Sequence, residues 1–475
     1  MKIILTNTVG WGGVSAGSRW PHKTGGVYNP PHLRYMPYPR WLSITSSLLK
    51  GQEYEVKFVD PPAEYLAEER YYETVKHFNA DVTVIEVSTP TFNICMDMAK
   101  KIKENVGSKI IFVGVHPTIF FKDCLSSDYV DFIIRGEYEV GILEIIKMLD
   151  GGGDLKKIKG IGYKTNGKNV FTEERPLLED LDSLPFPDWE GTNLWLYNDS
   201  WLGYEKQYPG VQLEASRGCV FKCPYCQWSK VLYRHTYRMF SNDYVIKMMK
   251  YAKDIFPAVK QFYFDDDTFN LRPEESIIDL CDKIIKEDID VPWAIMAHPQ
   301  LTTENIIKEM SKAGLYAAKW GLESNDQKVL NGIGKGIKLD HFEKTLEWCK
   351  KYDVKSHITI MFGLPNQTYK SALGTIKYVT KLYKKRLIDT AQFSICTPYP
   401  GTDLLEMSEK NNWIVNKGFQ NFDSTCSVLS YPYFKKEEIE KACLKMIKNY
   451  RRVTYMRKLR EKGTKELLQR LREVI

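Results

Sequence analysis

Over residues 1–150, short β-rich runs alternate with stretches whose apolar residues recur every three or four positions. The pattern predicts strands at 2–5, 56–59, 82–87, 110–113 and 132–134, and helices at 40–50, 65–78, 93–104 and 138–149. Strand–helix alternation of this kind builds a parallel, doubly wound sheet. Ligands of such sheets sit beyond the carboxyl ends of the strands. Those ends carry residues 7–13, Ser88 to Thr91, Gly114 to Pro117, and Arg135 to Glu137. The Gly-rich stretch 7–26 is long for a connection between a strand and a helix, and loops of that length tend to be functional.

Three glycines at 151–153 interrupt the pattern. A hairpin is expected at 160–170, and the stretch 176–189, rich in Pro, Asp and Leu, reads as an extended linker. A second strand–helix series follows, with strands at 211–214, 261–264, 293–297, 317–321, 357–361 and 389–395. Six such units suit a partial or complete (β/α) barrel that opens its site at the strand carboxyl ends. Alternation stops after residues 398–402. From Lys435 onward Ile439, Ala442, Cys443, Met446, Ile447 and Tyr450 recur at helical spacing. The expected division is 1–150, 151–205 (hairpin and linker), 206–402 (barrel) and 403–475 (helical, basic). The fold class is therefore α/β with a C-terminal helical region.

Length and composition narrow the class. At 475 residues, 43% hydrophobic and 27% charged, the chain can bury large cores without disulfides or metals, which excludes disorder and small disulfide scaffolds. No run of 18 apolar residues predicts a membrane span. The first residues read as a strand and not a signal peptide, so a cytoplasmic protein is expected, with its ten cysteines as thiols, metal ligands or catalysts. The net charge of +7 hints at an anionic partner until it is located. Of 67 basic and 60 acidic residues, 14 and 6 fall in 435–475, leaving the remainder close to neutral. The spacing of that tail favours a packed helix with a solvated basic face, so nucleic-acid binding is not expected.

Cys219, Cys223 and Cys226 lie just past the first strand of the second series, at C-x3-C-x2-C spacing. Three thiolates on one loop suit three irons of a [4Fe–4S] cube, leaving the fourth iron open. Structural zinc takes four protein ligands, usually in two pairs, and no fourth Cys or His is close, His235 being the nearest His. Five further cysteines (Cys95, Cys281, Cys349, Cys396, Cys443) fall in apolar patterns as core residues. Cys124 and Cys426 receive no role.

This loop, with Tyr225 ahead of its last cysteine, resembles the radical S-adenosylmethionine (SAM) superfamily. Residues 262–269, Gly321 to Ser324, Phe362 to Pro365 and Thr397 to Thr402 are, in order, similar to signature stretches of its cobalamin-binding branch. That branch holds C-methylases, hopanoid-modifying enzymes and bacteriochlorophyll-ring cyclases. The resemblance covers about residues 1–405. It implies a [4Fe–4S] cluster on Cys219, Cys223 and Cys226 whose open iron chelates SAM and cleaves it to a 5′-deoxyadenosyl radical. It implies SAM contacts from Tyr225, Asp265, Asp266 and Glu323, with Asp267 in the same acidic strand end, and Gly363 and Leu364 near the adenine. Asp triplets also end strands as turn formers or helix caps, and Glu323 could be an ordinary surface carboxylate.

A doubly wound domain ahead of such a barrel resembles the cobalamin-binding module. None of the eight histidines has Asp two residues before it, so the D-x-H-x-x-G motif is absent and base-off cobalamin without a His ligand is implied. Thr89, Thr91, Gly114, His116, Gly136 and Glu137 are the candidate cobalamin contacts, each with a plain loop or capping role as its alternative. The domain lacks G-x-G-x-x-G and G-x4-G-K-[ST], which leaves nucleotide binding little support. After Trp293 the branch commonly places Arg or Lys near the strand end; here His298 stands there, to contact substrate or merely to end the strand. With Asp266 it is the candidate catalytic residue beside the cysteine loop. The resemblance implies methyl transfer to an unactivated carbon of a small-molecule or peptide substrate, with flavodoxin or ferredoxin as electron donor. The alternatives are cyclisation, oxidation or rearrangement without methyl transfer, and a non-catalytic sensor that binds nucleic acid through the basic tail.

Overall fold

In the computed structural model the described residues are 1–9, 14–15, 22–23, 35–199 and 207–473. Strand β1 (Lys2–Thr6) is followed by a two-residue ribbon of β2 (Val14–Ser15) and β3 (His22–Lys23). The Gly-rich stretch 7–26 otherwise lies mostly outside the described residues. Then come β4 (Glu55–Val59), β5 (Val82–Glu86), β6 (Lys109–Val113) and β7 (Phe132–Ile134), with helices Arg40–Lys50, Glu68–Phe78, Phe92–Val106 and Glu139–Gly151 between and after them. These five main strands pair in parallel in the order β4-β1-β5-β6-β7. Their apolar runs serve two layers at once. Ile3, Leu5, Val82, Val84, Ile111 and Val113 enter one core, while Ile4, Ile85, Ile110 and Phe112 enter the core on the opposite face. A one-residue slip would exchange these sets, so the register is strongly specified.

The hairpin expected at 160–170 is present as β8 (Ile161–Thr165) and β9 (Lys168–Phe171). It extends the first sheet antiparallel from β7, and so belongs structurally to that sheet's edge. Beyond it the extended segment lays Leu181, Trp189, Leu194 and Tyr197 into the core of the second unit.

The second unit contains β10 (Gly210–Leu213), a ribbon of β11 (Ser216–Gly218) with β12 (Tyr237–Met239), then β13 (Gln261–Phe264), β14 (Trp293–Ala297), β15 (Leu315–Glu323), β16 (Lys355–Phe362) and β17 (Thr390–Ile395). Six of these strands pair in parallel in the order β10-β13-β14-β15-β16-β17, a curled sheet that stays open as a half-barrel. The outer face carries Leu213, Phe262, Phe264, Trp293, Ile295, Trp320, Leu322, Ile358 and Ile360, all buried beneath helices. Alternate positions carry Gln212, Tyr263, Lys319, His357, Thr359 and Gln392. A closed barrel fills this interior with layers of branched apolar side chains. Polar side chains here leave a concave wall.

An open sheet exposes unpaired edge groups. The C-terminal helix Lys436–Glu473 covers the β17 side, as its spacing predicts. Ile439, Ala442 and Met446 are fully buried, and Tyr450 packs edge-on against Phe393 and Tyr383. The Ala391 N–H donates to Tyr450 Oη at 3.1 Å. Tyr450 of the basic tail therefore serves packing, whereas Tyr455 is exposed.

Buried arginines join the two units. Arg217, 1% exposed, donates from Nε to Glu214 (3.0 Å) within the half-barrel. Its two terminal nitrogens donate to Glu137 (3.2 Å) and Glu139 (2.7 Å) of the first unit. Its guanidinium also lies over the Trp41 ring at 4.9 Å. Arg238 adds a second fork onto Glu137, at 2.7 and 3.0 Å. Arg217→Met would strip buried Glu139 of its cation and leave Glu137 to Arg238 and Glu214 to Arg40, so a loss of about 3–5 kcal/mol is expected, read by chemical denaturation. Glu86, at the end of β5, offers a pH test. Burial pushes its carboxyl up to about 8, and Tyr138 Oη donates to it at 3.1 Å. The stability this group contributes is full below about pH 4.5, its ordinary value, and is lost as pH rises through about 8. Thermal unfolding of Glu86→Gln against wild type should show a gap that opens in favour of the variant across that window, at up to about 1.4 kcal/mol per pH unit.

Candidate functional site

The cysteine loop leaves the half-barrel through Gly218, whose φ of 93° only glycine adopts without strain. A Cβ at this position would also collide with the Thr236 carbonyl oxygen. The acidic strand end after β13 holds the loop's root. Asp266 accepts from the Ala215 N–H (3.1 Å) and from Ser216 Oγ (2.5 Å), and Asp267 accepts from the Gly218 N–H (3.0 Å). Thr268 Oγ1 donates to Cys219 Sγ at 3.4 Å, and Ser229 Oγ donates to the Cys219 carbonyl at 2.6 Å. At the loop's centre the Phe221 ring stacks on His298, centroids 4.2 Å apart and 12° from parallel.

Cys219, Cys223 and Cys226 are half-buried free thiols. Burial pushes all three up, Cys226 to about 12, so an electropositive partner is needed to hold them as thiolates. Among the described residues, no three or more His, Cys, Asp or Glu converge as they would around a single ion. A four-iron cube takes one thiolate per iron, so its cysteines need not converge on one point. Three cysteines on one loop therefore suit three irons of the cube.

The strand ends around the loop are arranged differently from the sequence reading in several places. A β-bulge in β15 between Gly321 and Glu323 brings Glu323, at φ 66°, to the concave side. Its Oε1 accepts from Lys335 Nζ (2.5 Å) and Thr359 Oγ1 (3.2 Å). Tyr225 places a buried hydroxyl against Cys223 and close to the charges of Glu323 and Cys226. Asp265 forms an ion pair with Arg40 at 3.1 Å, and Asp266 is fully buried in the loop's root, where burial pushes it up to about 7. Asp266 thus braces the backbone of the loop's root, and Asp265 holds Arg40. His298 is also committed: Nδ1 accepts from the Gln300 N–H (3.2 Å) and Nε2 donates to the Lys335 carbonyl (2.9 Å). Burial holds its pKa down at about 3, and the ring forms part of the wall beside the loop. Gly363 and Leu364 lie under the C-terminal region. Tyr431 Oη donates to the Gly363 carbonyl (2.8 Å), Gln367 accepts from the Gly363 N–H (2.7 Å), and Leu364 is fully buried.

At the carboxyl ends of the first sheet, Thr91 closes a capping box with Ser88, and Glu137 is spent on Arg217 and Arg238. Four candidates remain together or adjacent. Thr89 Oγ1 lies 3.4 Å from His116 Nδ1, and Gly114 (φ 103°) and Gly136 (φ 81°) shape neighbouring turns. His116 sits between Phe92 (4.3 Å) and Phe120 (4.8 Å), with Phe419 of the C-terminal region edge-on at 5.5 Å. Its Nε2 is buried with no hydrogen-bond partner among the described residues. An orphaned ring nitrogen fits a bound polar group, and of the two glycine turns Gly136 has open space where a side chain would stand while Gly114 is packed against Val87.

Sequence reasoning missed Arg40, Arg217, Lys335 and Phe419. The Ser-Arg-Gly step before Cys219 and the Gly-Ile-Gly-Lys-Gly run at 332–336 were the available signals, yet their partners lie far away in the chain. Gly218→Ala should leave the helical circular dichroism unchanged while lowering iron bound per chain on anaerobic reconstitution, because the cysteine loop must shift to relieve the clash with Thr236.

Comparison with known proteins matches residues 213–379 to the Radical SAM superfamily and residues 32–146 to the B12 binding domain. An uncharacterized methyltransferase of Pyrococcus horikoshii is 29% identical over 409 residues, 85% of each chain. The anaerobic magnesium-protoporphyrin IX monomethyl ester cyclase of Rubrivivax gelatinosus is 25% identical, over 90% of this chain and 80% of its own. The fold resembles that of the radical S-adenosylmethionine methyltransferase TsrM from Kitasatospora setae, with a TM-score of 0.65 at 14% identity over 87% of this chain and 75% of that one. It also resembles that of the cobalamin-dependent radical enzyme OxsB, with a TM-score of 0.70 at 17% identity over 94% and 67%. The two matched domains carry with them a [4Fe–4S] cluster, SAM and cobalamin as cofactors. No helix among the described residues is long and apolar enough to cross a membrane. A cysteine loop with an open-iron donor set, a half-barrel behind it and a doubly wound sheet locked to its root make this chain an enzyme of the radical SAM superfamily, in the branch that carries a B12-binding domain.

Proposed function

We propose that the protein is a cobalamin-dependent methyltransferase that acts on an unactivated carbon of a polar substrate. The observation that carries this reading is the Arg217 cluster, which joins the root of the cysteine loop to the residues after β7 and so turns the mouths of both units toward each other. When bound, the cluster with SAM supplies a carbon radical and cobalamin supplies a methyl group. The chain's part is to hold the reacting carbons within reach and to exclude water. Cys219, Cys223 and Cys226 would hold the cluster, with Tyr225 and Glu323 beside it for SAM. Thr89, Gly114, His116 and Gly136 would face cobalamin.

The concave wall of the half-barrel supports a polar substrate. Lys319 and His357 are register partners on β15 and β16, Thr359 and Gln392 on β16 and β17, and Gln392 is exposed to the concavity. His357 Nδ1 lies 2.8 Å from Thr390 Oγ1. Small metabolites and peptides both offer the hydrogen-bonding groups such a wall would read. A cytoplasmic setting with flavodoxin or ferredoxin as the one-electron donor completes the proposal.

A second reading, radical cyclisation or rearrangement without methyl transfer, is favoured by the similarity to the cyclase of Rubrivivax gelatinosus. Product mass separates the two, since methylation adds one carbon. The test is anaerobic turnover of the reconstituted protein with cobalamin, labelled SAM and a low-potential reductant. Wild type should release 5′-deoxyadenosine and deliver labelled methyl to a substrate. Alanine at any one of Cys219, Cys223 or Cys226 should reduce both to background. Unchanged 5′-deoxyadenosine in all three variants would refute the assignment of the loop.

A further inference from the structure

Lys335 is a buried cation that neither the motif order nor the cofactor assignment accounts for. It sits in the run Gly332 to Gly336, between the helices Gln327–Gly332 and Leu339–Lys351. Gly334 and Gly336 take φ of 62° and 70°, conformations that let the run fold back on itself. The run lies along the cysteine loop: a Cβ on Gly334 would stand 3.9 Å from the Lys222 carbonyl oxygen, and one on Gly336 3.9 Å from the Phe221 ring. The Lys335 carbonyl accepts from His298 Nε2 at 2.9 Å, and His298 is stacked on Phe221. The backbone of Lys335 is thus pinned to the loop that carries the three cysteines.

The side chain then runs inward. Its ammonium lies 2.5 Å from Glu323 Oε1, with the side chain 12% exposed and Glu323's 7%. It passes over Gly321, where any Cβ would overlap Nζ. Lys335 and Glu323 therefore form one buried pair beside the loop that carries Cys223 and Cys226. A lysine buried with one carboxylate is a costly way to stabilise a fold, since the desolvation of both ions offsets their attraction. Beside a group that changes its own charge, the same ammonium has a consequence. One-electron reduction adds a negative charge to an iron–sulfur cluster, and net charge around the cluster is one of the quantities that sets its potential.

We propose that Lys335 is an electrostatic positioning residue that raises the reduction potential of the cluster on Cys219, Cys223 and Cys226, and that Glu323 opposes it. The proposal rests on the assignment of the cluster to those cysteines. The electron comes from an external low-potential one-electron donor, and no bond to Lys335 forms or breaks. Glu323 thereby acquires a second role. Its charge and position decide how much of the ammonium's field reaches the sulfurs, so any ligand that engages Glu323 changes the ease of reduction.

The test is an EPR-monitored redox titration of the anaerobically reconstituted full-length protein, without SAM or substrate. Lys335→Met should lower the ratio of reduced to oxidised cluster at fixed poise by about tenfold, a shift of about 59 mV for one electron. Glu323→Gln should move the ratio in the opposite direction, and Lys335→Arg should stay within about threefold of wild type. A Lys335→Met titration that overlays wild type, or moves with Glu323→Gln, overturns the proposal. Should Lys335→Met fail to load iron, the double variant Lys335→Met/Glu323→Gln decides it against Glu323→Gln alone: the double variant should show the lower ratio of reduced to oxidised cluster, and an overlay of the two overturns the proposal. Iron content of Cys223→Ala reports separately on the cluster assignment: full iron there refutes that assignment and leaves the Lys335 measurement unambiguous.

Discussion

The guanidinium of Arg217, with Arg40 and Arg238 beside it, holds the two halves of this protein in register. Arg217 is almost wholly buried and spends its donors on three carboxylates, one from its own unit and two from the other. Only arginine presents a planar fork able to serve three acceptors at once, and its face remains free to stack on Trp41. The cluster also splits the two carboxylates it borrows. Glu137 is held below the ordinary carboxylate range by Arg217 and Arg238, whereas burial raises Glu139. Because Gly218 and Cys219 follow Arg217 directly, the joint between the units and the root of the cysteine loop are one piece of chain.

That joint explains why the acidic strand end after β13 is structural. Asp265, Asp266 and Asp267 each brace the chain around the loop: one holds Arg40, one gathers the Ala215 and Ser216 donors, one takes the Gly218 N–H. A loop that must hold three thiols at fixed spacing gains precision from a shell of this kind. On the other side, His298 and the run 332–336 clamp the loop through Phe221. The C-terminal region closes the remaining side, laying Tyr431 over Gly363 and Phe419 against His116. Its contacts reach both units, which gives a structural reason for its presence.

The polar concave wall follows from the open sheet. A half-barrel buries only its outer face under helices, so the inner positions of β10, β13, β15, β16 and β17 are released from the packing demand that fills a closed barrel. Gln212, Lys319, His357, Thr359 and Gln392 occupy positions that aliphatics would otherwise take. The strand period of two is what separates these residues cleanly from the aromatic and aliphatic residues one step away.

Much of this was legible in the chain itself. Strand positions, the doubly wound first sheet, the six-stranded second unit and the packed C-terminal helix follow from period and turn residues, because each depends on neighbours within a few positions. The cysteine spacing marked the candidate cluster loop for the same reason. What tertiary structure alone decided is the use of charge. Asp265, Asp266 and Glu137 stand at strand ends where ligands bind, yet Arg40, Ser216, Arg217 and Arg238 claim them. The hairpin at β8 and β9 joins the first sheet because β7 offers it an open edge. Lys335 reaches the cysteine loop only through a fold-back that two positive-φ glycines permit. Periodicity is a property of a segment and can be read from it. The partner of a buried charge is a property of the whole fold, set by which distant group reaches the same dry space, and no local pattern encodes it.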